Sequence, residues 1–553
     1  MNGITLSIFF SVLTLNNADI QRTSVVQTNS GPVQGAALTT VWNGIEYSSF
    51  KGIPYASPPI GNRRFRPPVP PQPWNETLDA IEEANECPQE MSNVYSGNED
   101  CLYLSVFTPQ TKFNDKELKT LKPVMVWIYG GSFLRGSNNA SLYGPDFFME
   151  QDVVLVTFNY RLGALGFLYL KHENAAGNAA MRDQLMVLEW VRDNIAAFGG
   201  DPNRVTLFGE SAGGASVNYH VLSEKSRGLF HQAIEQSGTS ATYLYKTQKA
   251  AFQTACKLAS ELGFESDDPN ELLKFFLEAD AKDLVATTNR AFPLGTDFSV
   301  PFAPIKENPD LVDPNDMFLS ECPITLAANQ KFNKMPVMLG FTHDEVLDFS
   351  GELYQIINTT ADILNELFNL KLDLQGPYEE VKELSVVLSD FIMKGPIDFA
   401  QRLLVDGNDD YPVYYYQLSY VSNYALHAQD GIPEPGIAHF DDIGLLFNVE
   451  SLNAPTDPRH PFNQFRQKLV TLWANFAKYG NPTPANANPL NDVIWKPSGE
   501  AGQLLDMGDN FQMIDRKQAI NERALITEKY LYVSMPITSD CNEISYANYF
   551  SLF

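Results

Sequence analysis

The stretch Arg204 to Leu222, RVTLFGESAGGASVNYHVL, constrains the fold more than any other part of this 553-residue chain. An apolar, β-branched run leads straight into Gly209-Glu210-Ser211-Ala212-Gly213, and a helical pattern follows at once. The chain must therefore turn from strand to helix within a few residues. Such a turn strains its central residue and projects the Ser211 hydroxyl outward, while the flanking glycines make room for close backbone approach.

The same alternation continues along the chain. Strands are expected at Val124 to Tyr129, Val153 to Tyr160, Arg204 to Phe208 and Pro336 to Phe341. Between the second and third, Leu185, Leu188, Val191, Ile195 and Phe198 recur at helical spacing before Gly199-Gly200 and Pro202 stop the helix. A later stripe, Phe465, Leu469, Leu472, Trp473 and Phe476, ends at Gly480 and Pro482 and reads as core packing. Strand, helix, strand units in this order predict an α/β fold, a mostly parallel sheet flanked by helices. No internal repeat and no linker divides the chain, so residues 19–553 are read as a single large domain with insertions.

Charge narrows the partners. With 67 acidic against 39 basic residues the net charge is −28, which repels phosphate backbones and argues against nucleic acid as a ligand. Ile4 to Leu15 is an apolar run of signal-peptide length, so residues 1–18 are expected to be a secretion leader, and no later run is long enough for a membrane span. Sequons at Asn75, Asn139 and Asn358 fit a secreted, extracellular glycoprotein. Of five cysteines, Cys87 and Cys101 flank a short polar loop that a disulfide can close, and the odd count leaves at least one of Cys256, Cys322 and Cys541 unpaired within the chain.

A serine that attacks a carbonyl needs peptide N–H groups aimed at the oxygen that becomes negative. VMVWIY running into Gly130-Gly131-Ser132-Phe133 offers such a loop. Together with FKGIPYASPPIGNRRFRPP, EDCLYLSVFTP, FNYRLGALGFL, IEQSG, GFTHDE and GIAHFDDIGLLF, these stretches resemble the type-B carboxylesterases of the cholinesterase and carboxylesterase family, from about residue 25 to beyond 480. The resemblance implies an α/β-hydrolase fold and a serine esterase similar to secreted insect esterases. It implies Ser211 as nucleophile, Glu345 as acid and His439 as base, with an oxyanion hole from the amides of Gly131, Ser132 and Ala212. Glu210, Ser237 and Asp442 would support that triad. Of seven histidines, His343 beside the acid is the competing base on sequence alone. Asp441 and Asp442 read as supporting groups rather than metal ligands, and neither a metal nor an organic cofactor is called for.

The sequence also departs from the family pattern. Ser132 replaces a third glycine and Val346 the glycine that often follows the acid. Phe264 and the Phe275-Phe276 pair stand where a second disulfide is expected. No Trp lies between Cys87 and Cys101, which disfavours choline esters. The expected substrate is a small, hydrophobic, uncharged carboxylic ester of general, xenobiotic, odorant or pheromone type. GESAG differs from the GQSAG usual in juvenile hormone esterases, which remain one alternative; a non-catalytic cholinesterase-like binding or adhesion protein is the other.

Overall fold

The computed structural model describes residues 20–113, 120–242, 244–293, 300–347, 388–429, 435–522 and 524–525. Residues 1–18, where a leader is expected, and Asn358 and Cys541 lie outside them. Among the described residues an 11-stranded sheet dominates. Its strands are β1 (Ala36–Thr39), β2 (Glu46–Pro54), β3 (Tyr103–Thr108), β4 (Lys122–Ile128), β5 (Val154–Phe158), β6 (Gly200–Glu210), β7 (Gln232–Gln236), β8 (Val337–Thr342), β9 (Val413–Leu418), β10 (Leu504–Met507) and β11 (Phe511–Ile514). Across the sheet they run β1-β2-β3-β5-β4-β6-β7-β8-β9-β10-β11. From β5 through β10 in that order every pairing is parallel, and antiparallel strands form both margins.

The central strands read as unbroken apolar runs because helices cover both faces. Val124, Val126 and Ile128 of β4 and Val154 and Val156 of β5 are fully buried. The helices that matter below are α1 (Ala179–Asn194), α2 (Ala212–Leu222), α3 (Pro269–Glu278), α4 (Pro323–Ala328), α5 (Gly395–Gly407) and α6 (Pro461–Tyr479). The expected helix before β6 forms as α1, but its last apolar residues, Ile195 and Phe198, sit in a 3-10 turn closed by Gly199 at φ 83°. Gly480, at φ 64°, ends α6 as anticipated, and the Phe465 to Phe476 stripe is buried.

β6 continues two residues past the expected Phe208, since Gly209 and Glu210 still pair with Glu235 and Gln236 of β7. Reversal is thus confined to Ser211. Cys87 and Cys101 are bonded to one another. Where the family resemblance expects a second disulfide, Phe264 and Phe275 of α3 stack with centroids 4.6 Å apart and planes 4° from parallel. Packing between two rings takes over from a covalent link there. Asn75 and Asn139 are exposed. Among the described residues no helix is long and apolar enough to cross a membrane.

Candidate active site

Parallel α/β sheets gather their sites at the carboxyl ends of the strands, where loops diverge. β4 ends in the Gly130-Gly131-Ser132-Phe133 loop, β6 in Ser211, and β8 in the segment bearing Glu345. Ser211 has φ 57° and ψ −123°, a conformation that costs a non-glycine residue roughly 1–3 kcal/mol. Its neighbours hold it there. The Ser211 N–H donates to the Gln236 carbonyl at 2.8 Å. A Cβ on Gly213 would lie 2.0 Å from the Ile128 carbonyl oxygen, and one on Gly238 would lie 2.0 Å from the Ser211 carbonyl oxygen. Only bare backbone fits on either side of the turn.

Gly130 packs against the same residue from the β4 side, since a Cβ added to it would meet the Ser211 Cβ at 2.8 Å. Beyond it Gly131, Ser132 and Phe133 all take positive φ, at 100°, 57° and 61°. The loop is tied by Leu134 N–H to the Gly131 carbonyl at 3.0 Å and by Gly163 N–H to the Phe133 carbonyl at 2.7 Å. Ser132 adopts the left-handed conformation that glycine would take more easily. Ala212 opens α2, so its N–H has no acceptor within the helix.

The acid and the histidine meet across 94 residues of sequence. His439 Nδ1 lies 2.6 Å from Glu345 Oε2, and its Nε2 lies 3.1 Å from Glu210 Oε1. The ring is thereby held between one carboxylate at its back and the carboxylate next to Ser211. Glu345 is oriented in turn by the Thr342 N–H, 2.8 Å from its Oε1. Val346 sends its N–H to the Ser389 hydroxyl at 2.9 Å. His343 turns the other way, pairs with Asp344 at 2.8 Å and has a 44% exposed side chain. His220 is a core residue between Ser226 and Gln184, and burial pushes its pKa down to about 3. His427 pairs with Asp441 at 2.5 Å.

That last pair explains how the histidine loop is shaped. Asp441 accepts from the Ala438 N–H at 2.7 Å and the His427 N–H at 3.1 Å, while Asp344 accepts from the Ile437 N–H at 3.1 Å. Asp344 thus joins the acid loop to the histidine loop at Ile437, while Asp441 closes the histidine loop on itself and ties it to His427. Asp442 is also buried, and Gln236 Nε2 donates to it at 2.6 Å while the Trp473 indole N–H donates to Gln236 Oε1 at 2.9 Å. Ser237, at φ 49°, follows Gln236 and anchors β7 to β8 through the Gly340 carbonyl at 2.8 Å. Asp441 reads as a supporting group in the sequence, but nothing there assigns its partner His427 or the roles of Gln236, Gly238 and Trp473. Trp473 in particular belongs to a stripe that reads as packing.

Burial pushes the Asp442 carboxyl up to about 7, with Glu345 raising it further and Gln236 and His439 opposing. An unfolded aspartate titrates near 4, so between about pH 4 and 7 the folded chain holds a proton that the unfolded chain lacks. Folding stability from this group therefore falls as pH rises through that window. Asp442→Asn is expected to leave the thermal midpoint unchanged at pH 4–5 and to raise stability by about 2 kcal/mol at pH 8. Thermal scans of both proteins across pH check this, and an equal shift at every pH counts against it.

A separate groove of about 1200 Å³, lined by Leu222, Phe230, His231, Phe332 and Met335, lies at the opposite ends of β7 and β8 and contains none of these groups. A model of the carboxylesterase family matches residues 22–525. Esterase B1 of Culex pipiens is 40% identical over 512 residues, covering 86% of this chain and 92% of its own. The juvenile hormone esterase of Tribolium castaneum is 33% identical over 524 residues, covering 86% and 87%. A crystal structure of the juvenile hormone esterase from Manduca sexta, with OTFP covalently attached, matches with a TM-score of 0.78 at 26% identity, over 92% of this chain and 99% of that one.

Proposed function

As the chain belongs to the carboxylesterase family and is a carboxylic ester hydrolase, we propose that it works through an acyl-enzyme on Ser211, with His439 as base and Glu345 as its acid partner. The observation that carries this reading is the clamped imidazole, with Glu345 at 2.6 Å on Nδ1 and Glu210, adjacent in sequence to Ser211, at 3.1 Å on Nε2. Glu345 fixes the tautomer with the proton on Nδ1, which leaves Nε2 to accept the Ser211 proton as the hydroxyl oxygen attacks the ester carbonyl. Once the ring is charged, carboxylates lie at both nitrogens and lower the cost of the imidazolium. The carbonyl oxygen becomes anionic against the amides of Gly131, Ser132 and Ala212. Collapse expels the alcohol, protonated by His439, and water repeats the cycle to release the acid.

The substrate we infer is a hydrophobic, uncharged ester, and the setting extracellular. The Ile4 to Leu15 apolar run, the exposed sequons at Asn75 and Asn139 and the Cys87–Cys101 bond support passage through an oxidising, glycosylating compartment. A narrower reading, a juvenile-hormone-type esterase, is favoured by the likeness to the Tribolium and Manduca proteins and opposed by Glu210 in the serine motif.

An ester panel decides between them. Purified protein mixed with p-nitrophenyl butyrate is expected to release one equivalent of p-nitrophenol per active chain in a burst before steady turnover. Comparable kcat/KM on several short acyl esters, with juvenile hormone no better than the rest, supports the general reading. A preference for juvenile hormone of about 100-fold or more supports the narrower one, and absence of any burst or turnover removes the acyl-enzyme.

A further inference from the structure

β7 carries an ionisable side chain for which ester hydrolysis has no use. Glu235 is fully buried, level with Gly209 of β6 and Leu339 of β8. The Asn218 amide on α2 donates to its Oε1 at 3.0 Å, while its Oε2 is buried with no hydrogen-bond partner among the described residues. Asn218 in turn accepts from the Ser240 N–H at 3.2 Å and from the Ser240 hydroxyl at 2.5 Å. We propose that Glu235 in its protonated form is a positioning residue for the nucleophile, fastening α2 to the turn after β7 through Asn218 and Ser240; this rests on the reading of Ser211 as that nucleophile.

The linked side chains lie behind the serine turn. Gly214, on the first turn of α2, sits so close to β7 that an added Cβ would lie 2.7 Å from the Gln236 carbonyl oxygen and 2.9 Å from that of Gly238. Gln236 also accepts the Ser211 N–H, and Gly238 packs on the Ser211 carbonyl. Asn218 makes its bonds one turn further along the helix, and beside it the Tyr219 hydroxyl donates to the Leu244 carbonyl at 2.7 Å. Ser211 therefore stands at the head of a helix whose second turn is bonded both to the sheet and to residues 240–244.

Protonation decides whether that arrangement holds. Burial pushes the Glu235 carboxyl up to about 8, with the Asn218 hydrogen bond opposing. No charged neighbour contributes among the described residues. Gly209 and Leu339 flank it in the sheet and Asn218 faces it from α2; His220 on the same helix is bonded to Ser226 and Gln184, and Glu210 on β6 meets His439. At neutral pH the side chain is an uncharged acid. Above about pH 8 it becomes a carboxylate with a single donor, and a buried charge of that kind draws in water or pushes its neighbours apart. Either response loosens Asn218 and the helix that carries Ser211.

The test compares kcat and KM on p-nitrophenyl butyrate from pH 6 to 9.5 for the parent and for Glu235→Gln, which keeps the acceptor for Asn218 and cannot ionise. The parent is expected to lose about tenfold in kcat between pH 7 and 9, with KM within about twofold, since one pH unit above the midpoint about nine-tenths of the groups are ionised. The Gln variant is expected to turn over as fast at pH 9 as it does at pH 7. A fall of equal size in both proteins, or in neither, overturns the proposal; Asp442 is present in both and cannot produce a difference between them. Glu235→Ala, Ser240→Ala and their double variant give a second arm. Each is expected to lower kcat at pH 7 by about fivefold with KM unchanged, and losses that multiply in the double variant count against a shared link. Thermal scans do not depend on Ser211: the melting temperature of Glu235→Gln is expected to rise relative to the parent between pH 5 and 9, because the parent's raised carboxyl loses its stabilising proton over that range. A gap that stays constant with pH overturns the role of Glu235. Parent-like turnover by Ser211→Ala would instead remove the nucleophile, and the positioning role with it, while leaving the thermal gap in place.

Discussion

Ser211→Ala is expected to lower kcat on p-nitrophenyl butyrate by about 10⁵-fold or more while leaving substrate binding close to that of the parent enzyme. In the proposed mechanism the hydroxyl oxygen forms the acyl bond, and alanine occupies the same space minus that oxygen, so the backbone that holds residue 211 stays in place. His439→Ala is expected to cost nearly as much, because an un-ionised serine attacks esters poorly. The double variant should be no worse than either single one: residues that act as a unit lose their function together. Glu345→Gln is expected to cost about 10⁴-fold, since the imidazole remains but its tautomer and charge lose their support. Steady-state rates for the four proteins, together with organophosphate labelling that requires Ser211, check the scheme. Additive losses in the double variant would mean that the serine and the histidine do not serve one proton transfer.

Gly213→Ala is expected to destabilise the fold by about 3 kcal/mol or more and to remove most of the activity that survives folding. The added methyl carbon would sit 2.0 Å from the Ile128 carbonyl oxygen and 2.8 Å from its carbonyl carbon. Those atoms belong to the end of β4 and cannot swing aside as a side chain would. The first turn of α2 must then lift from the sheet and carry Ser211 with it, and a displacement near 1 Å is enough to cost about 100-fold in rate. Gly228→Ala is the control. It has φ 77° and no neighbour within 4 Å of the added carbon, so only conformational strain of about 1 kcal/mol is expected. Denaturant unfolding and residual turnover of the two variants separate the clash from the general cost of losing a glycine. Equal effects would place the constraint in backbone conformation rather than in contact with β4.

Much of this could be read from residues that are neighbours in the chain. The strand, the serine turn and the helix after it are fixed by a local conflict: β6 is apolar through Phe208, the helix pattern starts at Ala212, and glycines flank what lies between. Periodicity likewise located the buried faces of α1 and α6, because one period serves any helix that packs on a sheet. The proposed acid and base were legible only through resemblance, since a histidine in a loop carries no mark of its partner. His343 illustrates the difficulty: it stands two residues from Glu345 yet turns to Asp344, while His439 reaches Glu345 across 94 residues.

The chain's own alphabet thus determined the sheet-and-helix layering, the strained serine and the glycines that permit it, for these depend on backbone sterics and on periods of two and 3.6 residues. Tertiary structure alone decided which histidine meets Glu345, why Trp473 supports Asp442 through Gln236, and that Phe264 and Phe275 stack on one another. Those outcomes rest on distances between segments that only the folded sheet brings together. Local sequence carries no record of them, because a hydrogen bond depends on where its partner lies and not on how many residues intervene.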